Sequence, residues 1–532
     1  MKDDKKNNLK DINISKEQFE FAQLDVSLHD TKFDTKPVSY LKDAMRRFAK
    51  NKSSVVATVI IIILLLFAII GVEISPYRVT FQNNHCTNYL PKVKGLEWMG
   101  FDGSKKETIS AADYWFYMAI AEETGDNPIK KIYKEYDVEV QTGTLTTIKH
   151  FYDVELDSYY KPGNKFLTLT EKEYRDLQKY QDEHNVQIIY PAFAVKNISD
   201  GSTLDQYEAN YWYTRYEYGP DKGLPEGISP DKQRVEWINK YVDFSGFKED
   251  GTTPYDGYTS KMRVEGEGNH FYDYAIRKQN KQYYVRVNYF RYFEFQNGHQ
   301  PIFWFGTNQY GQDIFVRLAA GARFSFLLAL CVSIVNMLIG AIYGAIEGYY
   351  GGKIDISMER LVEILGGIPF IVVVTLFNLH LASKVGVLAS LVFAFIATGW
   401  IGMAARVRMQ FYRFKNQEYI LAARTLGAND GRLMFKHIFP NAIGTIITGS
   451  VLAIPGVIFS ESTLSYLGII NLESSKITSV GTLLSNGQGV ISTFPHIILF
   501  PAIFISLLMI SFNLFGNGLR DAFNPSLRGS ED

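Results

Sequence analysis

Hydrophobic positions fall into blocks along this chain. Residues 55–72 form one apolar run, interrupted only by Thr58 and Gly71, close to the ~20 residues that cross a bilayer. No such run recurs between residues 74 and 305; then residues 324–350, 361–381, 385–405, 442–469 and 494–514 are apolar again. The pattern predicts an all-α polytopic membrane domain of six spans. Residues 41–52 predict a basic amphipathic helix on the membrane surface, with Leu41, Met45 and Phe48 against lipid. Residues 1–40, dominated by Asp, Lys and Asn, predict a disordered tail. Residues 481–490 predict a short re-entrant or surface helix.

The polar stretch 74–305 reads as one α+β domain inserted after the first span. Pro162-Gly163, Asp200-Gly201, Gly219-Pro220 and Asp250-Gly251 are turn signals. Thr170 with Glu173, and Ser110 with Asp113, make capping boxes that open helices, the first running to about Gln181. Ser229-Pro230 places Pro at a first helical position. Residues 187–195 and 282–295 read as strands. Pro191 confines the first to an edge, and Val285, Val287 and Tyr289 alternate with Arg286 and Asn288 in the second. The aromatic run Tyr211-Trp212-Tyr213-Thr214-Arg215-Tyr216 forms either a docking surface or a Tyr-rich core. His85, His150, His184, His270 and His299 are scattered without metal-ligand spacing.

Charge sets the orientation. Arg46, Arg47, Lys50 and Lys52 precede the first run, so the positive-inside rule puts the N-terminus in the cytoplasm and residues 74–305 outside. Arg406, Arg408, Arg413, Lys415, Arg424, Arg432, Lys436, Arg520 and Arg528 then all fall inside. The short outer loops hold only Lys384 and Lys476. The whole chain carries a formal charge of −1 over 532 residues, which suggests no nucleic-acid partner. Its mean hydropathy of −0.08 averages two unlike regions. The two cysteines, Cys86 and Cys331, lie in different compartments by this topology and are not expected to pair. The first apolar run starts too deep for a usual cleavable signal, and Asn197-Ile198-Ser199 matches a glycosylation triplet of little meaning in a bacterial-type chain.

One polar stretch between the fourth and fifth spans stands out. In residues 417–440, Glu418, Tyr419, Leu421, Ala422, Ala423 and Arg424 predict a short helix stopped by Gly427-Ala428, with Pro440 downstream. Small alanines let a partner backbone approach closely. This stretch resembles the EAA loop of binding-protein-dependent ABC permeases. Leu421 stands where that pattern has Glu, while Ala422, Ala423, Gly427 and Pro440 keep it. The LAARTLGA form is most similar to the second, "C"-type membrane subunit of oligopeptide and dipeptide importers.

Further stretches carry the same resemblance. Residues 305–313 are similar to the family's GTDxxGRD signature, with Asn308 and Gln312 in place of its Asp and Arg. Arg317 and Gly321-Ala322-Arg323 continue it. Gly351-Gly352, Asp355 and Arg360 resemble the YYGG turn region, Ser465-Tyr466-Leu467-Gly468 the outer-loop entry, and residues 519–525 the LRDALDP ending. The resemblance does not cover the inserted domain.

Several residues are candidates for function within the spans. Gly340, Gly344 and Gly348 recur every four residues, a small-residue face for close helix packing. Gly366-Gly367 and Pro369 loosen the first turns of the third span, and Pro455 lies inside the fifth. Asn336, Glu461 and Ser462 are candidates for the translocation path. Glu461 either lines that path or faces outer water and caps a helix.

No GxxxxGK[ST] phosphate loop occurs, so the chain is expected to bind no ATP and to be no enzyme by itself. The resemblance implies a permease subunit of an importer, in a complex with a second homologous permease subunit. Two cytoplasmic ATPase subunits would hold ATP and Mg, and an extracellular lipoprotein would deliver oligopeptides or dipeptides. The implied setting is a Gram-positive cell membrane with both termini cytoplasmic. The rival readings are an ion-gradient-driven secondary transporter and a multi-span receptor with an outer docking domain.

Overall fold

The computed structural model describes residues 40–142, 145–190, 194–196, 203–204, 242–243, 277–279, 282–473 and 477–523. The tail, the turns at Asp200-Gly201, Gly219-Pro220 and Asp250-Gly251, and the helix start at Ser229-Pro230 lie outside these residues. So do Pro191, the triplet at Asn197, the aromatic run at Tyr211, His270, Lys476, Asn524-Pro525 and Arg528.

Among the described residues, five helices are long and apolar enough to cross a membrane: Lys52–Ile74, Ile314–Tyr350, Val387–Phe414, Asp430–Tyr466 and His496–Phe523. The pair Gly352–Gly366 and Phe370–His380, bent by 73°, makes the sixth when taken as one span. The third span is therefore not a loosened helix but a broken one. Pro369 denies the chain an amide and starts a new helix as its cap. The second span begins ten residues earlier than its apolar pattern. Asp313 accepts amide hydrogen bonds from Phe315 and Val316 and so caps a helix that carries Arg317 and Arg323 before the lipid-like run. The fourth span likewise runs on to Phe414, because its basic last turns are anchored to neighbouring helices. The fifth starts at Asp430 and passes through a π-helical stretch, Leu433–Ile438. Pro440 sits in the first turn of the α-helix Phe439–Tyr466 rather than closing a loop.

Helix Tyr40–Lys50 lies against the last span. Met45 is exposed, but Phe48 is buried edge-on to Phe515, with ring centroids 5.3 Å apart. Phe48 therefore packs on protein, not lipid. The first span has the least buried apolar window of the five.

The insert is built from antiparallel sheets. Ser104–Ser110 and Ile129–Thr142 flank Leu145–Asp157 in one sheet. Asn164–Thr170 and Ile189–Tyr190 flank Gln282–Asn288 in another. Both capping boxes are formed, opening helices Ala111–Thr124 and Glu171–His184. The strand expected over 282–295 stops at Asn288. The Asn288 side chain accepts from the Arg291 amide, and Tyr289–Asn297 becomes a helix that buries Tyr289, Phe290, Tyr292 and Phe293. Val285, Arg286, Val287 and Asn288 are buried in succession, so this strand is covered on both faces rather than alternating. The insert's core is continuous with the membrane bundle, since Val316 of the second span belongs to it.

The neutral signature before the second span is internally satisfied. Asn308 Nδ2 donates to Gln312 Oε1 at 2.9 Å, and Asn308 Oδ1 accepts from the Tyr310 and Gln312 amides. A hydrogen-bonded amide pair thus occupies the two positions where the resemblance suggests an ion pair. Asp313 beside it is buried, which pushes its carboxyl up to about 7 against the pull of its three donors.

Candidate coupling site and translocation path

The short helix in the polar loop spans Glu418–Thr425. Gln417 caps it in extended conformation, and Gly427 turns the chain at φ +86, a left-handed conformation that a side chain would strain. Its inner face is set by Ile420, fully buried with Leu433, Met434 and Ile438; Ala423 and Ala428 pack against the same cluster. Its outer face presents Glu418, Tyr419, Leu421, Ala422 and Arg424 to solvent, followed by Leu426 at 88% exposed. Ile420 escaped the sequence reading, although it lies three residues before Ala423 and so shares its face of the helix. Pro440 lies beyond this loop, inside the fifth span, where the π-helical stretch gives way to helix Phe439–Tyr466.

Polar contacts tie this helix to the bundle. The Tyr349 hydroxyl donates to Asp430 Oδ1 at 2.5 Å and accepts from Arg424 Nη2 at 3.2 Å. Beside it, Arg408 makes a bidentate pair with Asp355 at 2.7 and 3.1 Å and reaches Glu359 at 3.2 Å and Glu347 at 3.6 Å. The Tyr412 hydroxyl also donates to Asp355. Glu347 is 1% exposed and Asp355 is buried too, so the guanidinium offsets two buried carboxylates as well as the partly exposed Glu359. Lys415 closes the group by donating to the Gly348 carbonyl at 2.9 Å. The second span, the bent pair and the fourth span thus share one ionic knot next to the coupling helix.

Gly340, Gly344 and Gly348 face the C-terminal half of the fourth span. A Cβ at Gly344 would lie 2.2 Å from the Ala404 carbonyl oxygen, and one at Gly340 or Gly348 2.7 Å from the carbonyls of Trp400 or Arg408. The two backbones therefore touch along this stripe, which needs glycine for steric reasons alone.

The path candidates separate. Asn336 lines a cavity of about 420 Å³ walled by the second, fourth and fifth spans and by Phe370 of the third. Glu461 does not line it. Its carboxylate is fully buried and accepts from the hydroxyls of Ser325 at 3.2 Å and Ser465 at 2.9 Å, with Ser462 at 3.5 Å. Ser460, its neighbour, is on the cavity wall instead. Arg406 is on that wall too. Its place in the sequence suggests a flanking charge beyond the span, but the helix continues past it and turns it inward to donate to the Gly449 carbonyl at 3.3 Å. Among the described residues, no group of three or more His, Cys, Asp or Glu is arranged to hold a metal.

Long apolar helices packed together, with a small helix whose tip is apolar and exposed, define a polytopic membrane protein. Residues 336–529 match the binding-protein-dependent transport system inner membrane component, and residues 39–91 match the N-terminal TM domain of oligopeptide transport permease C. Over 225 residues the chain is 44% identical to the oligopeptide transport system permease protein OppC of Bacillus subtilis (strain 168), covering 42% of this chain and 72% of that protein. It is 41% identical over 226 residues to the dipeptide transport system permease protein DppC of the same organism, covering 42% and 69%. To OppC of Escherichia coli (strain K12) it is 37% identical over 238 residues, covering 44% and 75%. A structure of the MetNI methionine ABC transporter in inward-facing conformations aligns at a TM-score of 0.32 and 15% identity, over 39% of this chain and 96% of that one, too remote to bear on the fold. The chain belongs to the inner-membrane permease family of binding-protein-dependent ABC importers, in the branch of the oligopeptide and dipeptide permeases. Residues 92–335, which hold the insert from residue 92 onward and the first part of the second span, fall between the two family matches, while residues 74–91 lie within the second of them.

Proposed function

We propose that this chain is one of two membrane subunits of an importer that takes up oligopeptides or dipeptides handed over by an extracellular binding protein. The reading places the coupling-helix end and both termini in the cytoplasm, and the insert outside a Gram-positive cell membrane. Two ATPase subunits, holding ATP and Mg, seat against residues 418–428. ATP binding closes them, the coupling helix moves as a rigid lever, and the spans switch the cavity between inner and outer access. The insert docks the binding protein or guards the outer mouth.

The observation that carries this reading is the division of the coupling helix into two faces. Ile420 fixes it to the permease, while Leu421 and Leu426 remain exposed on a surface where a solitary protein gains nothing from them. An ion-driven carrier has no use for such a knob. Vesicles containing the assembled complex should accumulate labelled peptide only with ATP, and vanadate should stop it. Uptake that follows an ion gradient without ATP would reject the proposal.

A further inference from the structure

The cavity among the second to fifth spans contains chemistry that the packing of the protein does not use. Asn336 is 8% exposed and Ser333 3% exposed, yet Asn336 Oδ1 and Ser333 Oγ have no hydrogen-bond partner. Both residues lie on the wall of the same cavity. Buried polar atoms left unmatched cost stability and call for a partner that the protein itself does not supply.

Arg406 adds charge to that wall. It is the one ionisable residue among those lining the cavity. No carboxylate pairs with it among the described residues; its contact is the single Gly449 carbonyl. The contrast with Arg408, two residues on, is informative. Arg408 faces the other side of the helix and is held by Asp355, Glu347 and Glu359. Arg406 remains exposed, yet its guanidinium reaches across to the fifth span at the edge of a cavity whose walls include Phe370 and Phe395. An unmatched guanidinium in such a place attracts an anion, and its fork fits a carboxylate in particular.

We propose that Arg406, Asn336 and Ser333 form a subsite for a passing peptide, with Arg406 taking the C-terminal carboxylate and the two neutral side chains taking backbone amide groups. These are the parts of a peptide that do not vary with sequence, so the subsite provides hold without side-chain selectivity. The cavity volume is in the range of small-ligand pockets, about 300–1,000 Å³. A single ion pair open to water on one side binds weakly enough to release its cargo. This inference rests on the peptide-import reading above.

The test uses the complete complex in vesicles. ATP-dependent uptake of a short peptide and of its C-terminal carboxamide is compared for the wild type, Arg406→Gln and Arg406→Lys. The affinity of the binding protein for both ligands is measured separately, so that its own preference is divided out. The wild type should favour the free acid. Arg406→Gln should lower uptake of the acid by about tenfold, the effect of losing a hydrogen bond to a charged group, and leave the amide nearly unchanged. Arg406→Lys should recover part of the preference. Equal loss for both ligands, or no loss for either, overturns the subsite while leaving peptide import intact. A wild-type complex that hydrolyses ATP but carries neither ligand rejects the import reading itself, and the subsite with it.

Discussion

The Tyr349 hydroxyl donates to the Asp430 carboxylate at 2.5 Å while Arg424 donates to the same hydroxyl. One phenol thereby joins the end of the second span, the start of the fifth and the coupling helix. Tyr349→Phe keeps the ring and removes the joint. The peptide carried per ATP hydrolysed should fall several-fold, with a stability loss of only about 1 kcal/mol. Parallel uptake and hydrolysis measurements check this; an unchanged ratio means the joint does not transmit force.

The glycine stripe gives a purely steric prediction. A methyl at Gly344 meets the Ala404 carbonyl oxygen at 2.2 Å, a backbone atom that cannot swing aside. Gly344→Ala should destabilise the folded protein by about 1–3 kcal/mol through forced separation of the two helices. At Gly402, a Cβ meets nothing within 4 Å, so Gly402→Ala should be tolerated. Thermal unfolding in detergent compares the two.

Much of this arrangement is legible in the sequence, and the failures have physical causes. Apolar runs locate the spans because a bilayer imposes length and composition together. They misplace the ends, because Asp313 and Phe414 bound helices by capping and packing beyond the lipid. The break at Gly367-Pro369 is readable as weakness, but its 73° bend is decided by packing. In the insert, the capping boxes at Ser110 and Thr170 are local chemistry and form as the sequence suggests. Residues 289–295 read as strand because aromatic residues favour strands, while the Asn288 cap and the burial of Phe290 and Phe293 make Tyr289–Asn297 a helix. The inward turn of Arg406 depends on the helix running past it, which no local pattern announces.

The ionic knot predicts an asymmetry between partners. Removing the guanidinium with Arg408→Met leaves Glu347 buried and uncompensated beside Asp355 and Glu359. That should cost about 3 kcal/mol or more. Exchanging Glu359, itself 35% exposed, for Gln should cost far less, under about 1 kcal/mol. Chemical unfolding of the two variants in the same detergent tests the order; equal losses would contradict it.

A histidine in the insert predicts a pH response. His150 Nδ1 lies 2.6 Å from Asp137 Oδ1 and Nε2 lies 2.8 Å from Glu135 Oε1. The hydrogen bond to Asp137, helped by Glu135, raises its pKa above the ordinary histidine value. A raised folded-state pKa means the stabilisation is complete below the unfolded value, about 6.5, and is lost as pH rises through the folded value. Hydrogen exchange in the hairpin 129–157, corrected for intrinsic rates, should therefore quicken above neutrality. In His150→Gln it should show no such pH dependence. Protection unaffected by pH in the wild type would remove His150 from the account.

The coupling helix offers one further contrast. Ala423 faces the permease's own core cluster, so Ala423→Asp should unseat the helix, abolishing uptake and lowering stability together while leaving membrane insertion intact. Gly427→Trp should also uncouple transport, because its φ of +86 strains any side chain.

Leu426 isolates the central claim, since it is 88% exposed and belongs to no core cluster. The decisive measurement is ATP-driven peptide uptake by the complex carrying Leu426→Asp, alongside its melting temperature and its co-purification with the ATPase subunits. The account predicts unchanged melting, weakened ATPase association and uptake reduced at least tenfold. Normal uptake with normal association would contradict it, because the exposed tip of the coupling helix would then touch nothing that drives transport.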